Sequence, residues 1–109
     1  MPTLAKWLAE MSDGETIEAV VLGSPSWEIS IWDEDDFRHS MPLGKLLSVQ
    51  EAAAWLDHEF DDGYGSPGCP AVTAWTASWV ISVSQYDGST SPFRLPRNVV
   101  AHMPEMPGG

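Results

Sequence analysis

Two runs of carboxylates are the residues whose types and spacing could do chemistry in this sequence. The first run is Asp33-Glu34-Asp35-Asp36, and the second comprises Asp57, Glu59, Asp61 and Asp62. Carboxylate oxygens either coordinate hard cations such as calcium and magnesium or pair with lysine and arginine. The two runs therefore predict either a metal site or a surface that binds basic groups.

The metal interpretation fits the spacing poorly. Neither acidic run matches the calcium-binding loop pattern, because no glycine follows Asp35 at the required place. The three histidines, His39, His58 and His102, lack the spacing of zinc ligands. We therefore expect no metal and no cofactor, and we interpret the runs as exposed carboxylates.

An enzymatic centre is not indicated either. The sequence has no GxSxG, HExxH, P-loop or GxGxxG pattern. Cys69 could be paired with His58 or His39, but it lies between Gly68 and Pro70 without a local nucleophile signature. We expect a protein that is not an enzyme. A single cysteine rules out an internal disulfide and is compatible with the cytoplasm.

The six tryptophans divide into two groups. Four of them fall on apolar faces and are interpreted as core residues: Trp7, Trp27, Trp75 and Trp79. Trp32 lies out of phase with its apolar strand face and adjoins the first acidic run, and Trp55 lies on the flank of a predicted helix. Exposed aromatic residues beside charges are typical of binding hot spots. We therefore add Trp32 and Trp55 to the acidic runs as candidate partner-binding residues, although either ring could instead pack over a neighbouring strand.

The charge of the chain is unevenly distributed. The 109 residues carry a net charge of −11, and residues 1–62 contain 14 Asp and Glu against three Lys and Arg. Residues 63–109 contain two of each sign. A field this negative repels nucleic acid and anionic membranes and attracts basic protein surfaces. Salt adaptation would also give an acidic surface, but it should acidify the whole exposed surface rather than one part of the chain.

The elements that must position these residues follow from local signals. Ser48 and Glu51 match a capping box, and apolar residues recur at helical spacing behind it. Thr3 caps a first helix that ends at Asp13-Gly14. Alternating and β-branched segments predict the strands. The predicted elements are a helix after Thr3, strands at 15–22 and 27–32, a helix at 48–60, and strands at 72–76, 79–86 and 92–95.

This order, α-β-β-α-β-β-β, predicts an α+β fold with an antiparallel sheet of about five strands and two helices on one face. The segments at 15–22 and 27–32 are expected to form a hairpin, and Asp87-Gly88 a second one. Pro92 and Pro96 place the last strand at a sheet edge. We expect a single domain over residues 1–101 and a flexible tail over 102–109. No apolar run approaches the length of a membrane span, and no signal peptide is apparent.

The segments WDEDDF and LDHEFDD carry a resemblance to the small acidic inhibitors encoded by phages and other mobile elements, including anti-CRISPR proteins and DNA mimics. The resemblance is one of size and charge and covers about half the chain. It implies a host nuclease or its nucleic-acid complex as partner, bound through a basic channel, with the inhibitor a monomer or homodimer. Two alternatives stay open: an immunity protein against a toxin nuclease, and a salt-adapted domain with no basic partner.

Overall fold

The first helix forms where its cap and apolar spacing predict it. The computed structural model describes residues 3–23, 42–57, 69–86 and 89–104. Helix α1 spans Leu4–Met11, and the Thr3 side chain accepts a hydrogen bond from the Lys6 N–H. The chain then leaves the helix through Asp13 and Gly14, both with positive φ, which glycine adopts readily and aspartate tolerates.

The second helix, α2, spans Val49–Leu56 and begins with the predicted capping box. The Glu51 N–H donates to Ser48 Oγ at 3.1 Å, and the Ser48 N–H donates to Glu51 Oε1 at 3.0 Å. The helix ends earlier than the predicted Phe60, because Asp57 acts as its C-cap with its N–H bonded to the Ala53 carbonyl. The predicted glycine stop at residue 63 lies outside the described residues.

The described strands form one five-stranded antiparallel sheet, so the predicted α+β class is confirmed. The strands are β1 (Ala19–Gly23), β2 (Leu46–Leu47), β3 (Ala71–Trp75), β4 (Trp79–Tyr86) and β5 (Ser89–Pro96). Their order in the sheet is β2-β1-β3-β4-β5. The predicted final hairpin forms, with Tyr86 opposite Ser89, and β5 lies at an edge, as its prolines predicted.

The sheet contains one strand that was not predicted, and two predicted strands have clearly different bounds, since β1 begins at Ala19 rather than Glu15 and β5 at Ser89 rather than Pro92. Strand β2 lies within the segment predicted to be a loop, and it pairs Leu47 with Val20 and Leu46 with Val21. A two-residue strand has no periodicity of its own, so only its partner in β1 defines it. The strand predicted at 27–32, and with it the first predicted hairpin, lies outside the described residues.

Both helices pack on one face of the sheet, as predicted. The side chains on that face alternate with those on the opposite face, as strand geometry requires. The buried core comprises Leu4, Trp7, Leu8, Val20, Leu22, Leu47, Ala52, Leu56, Cys69, Val72, Ala74 and Ile81.

The opposite side of the sheet, called the outer face below, carries the alternate residues of the same strands. Its large apolar members are Val21, Leu46, Trp75, Val80, Phe93 and Leu95. Trp75 is half-buried on this face, so its interpretation as part of the main core is wrong. Trp7 is in the core and Trp79 packs against it, as predicted, and Trp27 lies outside the described residues.

The chain after β5 has no regular secondary structure in its described part. Residues 100–104 are exposed, and His102 and Met103 line a groove with the end of α1. The remainder of the predicted tail lies outside the described residues.

Candidate functional site

Two of the ten predicted partner-binding residues lie in the part of the chain that the structure describes. Asp57 is exposed at the C-terminal end of α2. Trp55 is half-buried and packs against the core. These two residues therefore lie together at one end of the helix. The other eight lie outside the described residues: Trp32, Asp33, Glu34, Asp35, Asp36, Glu59, Asp61 and Asp62. Whether the two acidic runs meet on one surface stays a prediction.

Three described carboxylates have roles inside the fold that charge counting does not reveal. Glu51 belongs to the capping box, and the Ser48 N–H holds the pKa of Glu51 below its usual value. Glu18 pairs with Arg97, with 3.1 Å between Oε2 and Nη1. Glu15 is the most connected of the three and joins the start of β1 to the turn between β3 and β4.

The Glu15 carboxylate accepts three hydrogen bonds from that turn. Ser78 donates from Oγ to Oε2 at 2.6 Å and from its N–H to Oε1 at 3.0 Å, and Thr76 Oγ1 donates to Oε1 at 2.6 Å. The bonds from Ser78 and Thr76 lower the pKa of Glu15, because they favour the ionised form. Thr76 is completely buried, and its hydroxyl also accepts the Trp79 N–H. This hydrogen-bonded group of Glu15, Thr76 and Ser78 is called the clasp below.

Both arginines of the second half of the chain are held by contacts within the fold. Arg94 stacks over the Trp79 ring at 3.9 Å from its centroid and donates to the Met11 carbonyl at 2.9 Å. Arg97 donates to the Thr76 carbonyl at 2.9 Å as well as to Glu18. Within the part of the chain that the structure describes, the partners of these two arginines are therefore Trp79, the Met11 and Thr76 carbonyls, and Glu18.

A groove of about 490 Å³ lies between the end of α1 and β5, beside the Arg94–Trp79 stack. Its charged members are Glu10, Asp13 and Arg94, and Met11 and Met103 contribute apolar surface. Sequence reasoning missed this stack. The two-residue connection at 87–88 could have revealed it, because that register places Arg94 opposite Ile81 and diagonal to Trp79.

The described residues show little that would support catalysis or metal binding. Cys69 is buried, and burial raises the pKa of its thiol to about 11, so the reactive thiolate is disfavoured. Among the described residues, no three His, Cys, Asp or Glu side chains converge as metal ligands do. Neither described helix is long and apolar enough to cross a membrane.

Comparisons with protein-family models, with curated proteins and with solved structures found no match for this chain.

Proposed function

We propose that this chain is a small acidic binding protein, not an enzyme, that inhibits a nucleic-acid-handling protein in the cytoplasm. It would do so by presenting a carboxylate-rich surface to the basic channel that normally holds nucleic acid. The observation that carries the proposal is the charge distribution, with a net charge of −11 in residues 1–62 and zero in residues 63–109. A basic partner would be attracted to the first part of the chain from a distance.

The internal use of the late arginines supports this proposal. Arg94 is engaged with Trp79 and Met11, and Arg97 with Glu18 and Thr76. Contacts within the fold hold both guanidinium groups against Trp79, Glu18 and backbone carbonyls. We therefore expect the acidic runs to keep a surplus of carboxylates for a partner.

The expected interface combines charge with apolar anchors. Arginine forks bind exposed carboxylates much as they bind backbone phosphates. Asp57 is exposed at the end of α2, beside the partly exposed Trp55. We assign the charge to Asp33, Glu34, Asp35, Asp36, Asp57, Glu59, Asp61 and Asp62, and the anchors to Trp32 and Trp55.

The first experiment identifies the partner and then tests the first acidic run. The chain would be used to capture protein from a host lysate, and the captured protein would be tested for loss of binding to duplex DNA or RNA. We expect Asp33→Lys, Asp35→Lys and Asp36→Lys together to weaken the complex by more than about tenfold while leaving folding largely intact, because exposed charges add little stability.

A matched pair of variants separates the site from net charge. Asp33→Asn, Asp35→Asn and Asp36→Asn raise the net charge by three. Lysines at the exposed positions Thr16, Asn98 and Ala101 raise it by the same amount elsewhere. The proposal requires a larger loss of affinity from the first set. Equal affinities for both sets, or a captured protein that does not bind nucleic acid, would refute it.

The immunity-protein alternative predicts the same basic partner chemistry but a different genetic context. A toxin nuclease gene beside this gene would favour it, whereas flanking phage genes would favour the inhibitor. Binding to either partner should weaken with added salt, because exposed charges are screened over about 8 Å at physiological ionic strength. A salt-insensitive complex would instead indicate an apolar interface.

A further inference from the structure

The outer face of the sheet carries no charged side chain at any position that the structure describes. Its large apolar residues are Val21, Leu46, Trp75, Val80, Phe93 and Leu95. Apart from Tyr86 at the end of β4, the remaining described positions on this face are alanine, glycine, serine and threonine. This is unexpected in a chain with 16 acidic residues, since the solvated face of an antiparallel sheet normally alternates with polar and charged residues.

The accessible part of this face lies mainly at two of its strands. Leu46 is 71% exposed on β2, and Leu95 is 44% exposed on β5. Trp75, Val80 and Phe93, between or beside them, are half-buried. None of the helices described for this chain packs on this side, because both contact the opposite face.

The absence of charge favours a second copy of this chain as the occupant. A twofold interface brings the same patch of both subunits together, so a charge near its centre would meet a like charge. Two copies with a net charge of −11 each repel one another over most of their surface. The electrostatic repulsion between two copies is smallest where their charge-free faces meet. A basic partner, in contrast, would be expected to select an acidic surface.

The strand edges are poor alternatives for contact between copies. The Thr76 N–H donates to the Trp79 carbonyl, and the Arg97 N–H donates to the Ser78 carbonyl. The backbone N–H and C=O of Trp79 therefore point towards β3, and those of Val83 do too because the direction alternates along the strand. The β5 residues opposite Trp79 and Val83 consequently direct their backbone hydrogen-bonding groups away from the sheet. Those residues are Pro96 and Pro92, which have no N–H to offer a further strand. The opposite edge, β2, is only two residues long, and short edge strands resist such pairing.

We infer that this chain forms a homodimer through the outer faces of two sheets. Five strands about 4.8 Å apart and about five residues long give a patch of roughly 400 Å² on each copy. The two copies together would bury at most roughly 800 Å², which is below the roughly 1,200 Å² at which standard interfaces begin and within the range of weak, transient contacts. The dimer is therefore weak, reversible and dependent on concentration. This inference does not rest on the proposed inhibitory function.

Sedimentation velocity over a concentration series tests the dimer directly. We expect the purified chain to pass from monomer to dimer as its concentration rises, and added NaCl to strengthen the dimer because it screens the repulsion between copies. Leu46→Lys with Leu95→Lys should weaken the dimer by more than about tenfold, since like charges would then meet across the twofold axis. Both leucines are exposed, so neither change removes a buried core group.

The control variant carries Thr16→Lys and Asn98→Lys, which add the same charge at exposed positions away from this face. Because the two added lysines reduce the negative net charge from −11 to −9, the control should dimerise at least as well as the original chain. A chain that stays monomeric at every concentration and salt level would overturn the inference. Equal dimerisation of the two lysine variants would also overturn it. The salt response separates the two proposals, since partner binding should weaken with salt while the dimer strengthens.

Discussion

Glu15 forms hydrogen bonds with residues that lie more than 60 positions later in the sequence. Its carboxylate accepts hydrogen bonds from Thr76 and Ser78, and Thr76 in turn accepts the Trp79 N–H. One acidic residue, counted at first with the surplus of negative charge, therefore fixes the turn between β3 and β4 against the start of β1. The sequence around Glu15 does not indicate this role, because the hydrogen-bond partners of Glu15 come from a distant turn.

Replacing Thr76 with valine should destabilise the fold by about 1–3 kcal/mol, because the Trp79 N–H and the Glu15 carboxylate both lose a partner. Thr76 is fully buried and valine has nearly the same shape, so the change removes the hydroxyl with little effect on packing. Urea unfolding measures the loss. Thr73→Val, on the outer face of the adjoining strand β3, is the matched control, and an equal effect of both changes would contradict the clasp.

The stability that the clasp contributes depends on pH in a definite direction. Hydrogen bonds from Ser78 and Thr76 lower the pKa of Glu15 in the folded state, so the unfolded state takes up the proton first as the pH falls. The stabilisation is therefore complete at neutral pH and is lost as the pH drops through the lowered value. Glu15→Gln should destabilise the protein at pH 7, and its difference from the original chain should shrink in acid. A constant difference would contradict this linkage.

At the scale of elements, local signals predicted the helices better than the sheet. The Thr3 and Ser48 caps and the helical spacing of the apolar residues belong to short stretches of sequence, and both caps form as predicted. Strand β4 also has its predicted bounds, Trp79–Tyr86. Strand β2 was missed because Leu46 and Leu47 become a strand only by pairing with β1.

The candidate site was only partly predictable for a related reason. The acidic runs and the two candidate tryptophans can be read from the sequence, but which carboxylates are free is a matter of tertiary contacts. Glu15 and Glu18 have partners that the sequence does not reveal, whereas the Glu51 capping box was predicted and Asp57 is exposed at a helix end. The charge-free outer face likewise becomes visible only when the strand register is known, because it collects alternate residues from five strands.

The capping box of α2 should make a measurable contribution to stability. Ser48→Ala removes the oxygen that accepts the Glu51 N–H, and loss of such a cap costs about 0.5–2 kcal/mol. Gln50→Ala, at an exposed position two residues after Ser48, is the control. Urea unfolding compares the free energies of unfolding of the two variants. If Ser48→Ala were no more destabilising than Gln50→Ala, the cap would not stabilise α2.

At the scale of the whole molecule, one charge distribution has opposite consequences for two kinds of association. The surplus of carboxylates attracts a basic partner and repels a second copy. The neutral outer face offers the second copy a surface with less repulsion. The proposed inhibitor surface and the proposed dimer surface therefore need not compete, since one is selected for its charge and the other for its lack of charge.

The same surplus predicts how stability responds to salt. Self-repulsion among carboxylates opposes the compact state, so the urea midpoint should rise as NaCl is added from low ionic strength. Screening already acts within about 8 Å at 0.15 M, so the rise should level off near physiological ionic strength. The Asp33→Asn, Asp35→Asn and Asp36→Asn variant, with less repulsion, should show a smaller rise.

A midpoint that climbs steadily into molar salt would contradict this expectation and would favour the salt-adapted alternative instead. In that case the acidity would be a condition for folding rather than a surface kept for a partner. Urea is the denaturant of choice for this measurement, because guanidinium is itself a salt and would screen the charges from the outset. Leu46→Lys with Leu95→Lys changes the net charge from −11 to −9, so at concentrations where the chain is monomeric it should also show a smaller rise than the original chain.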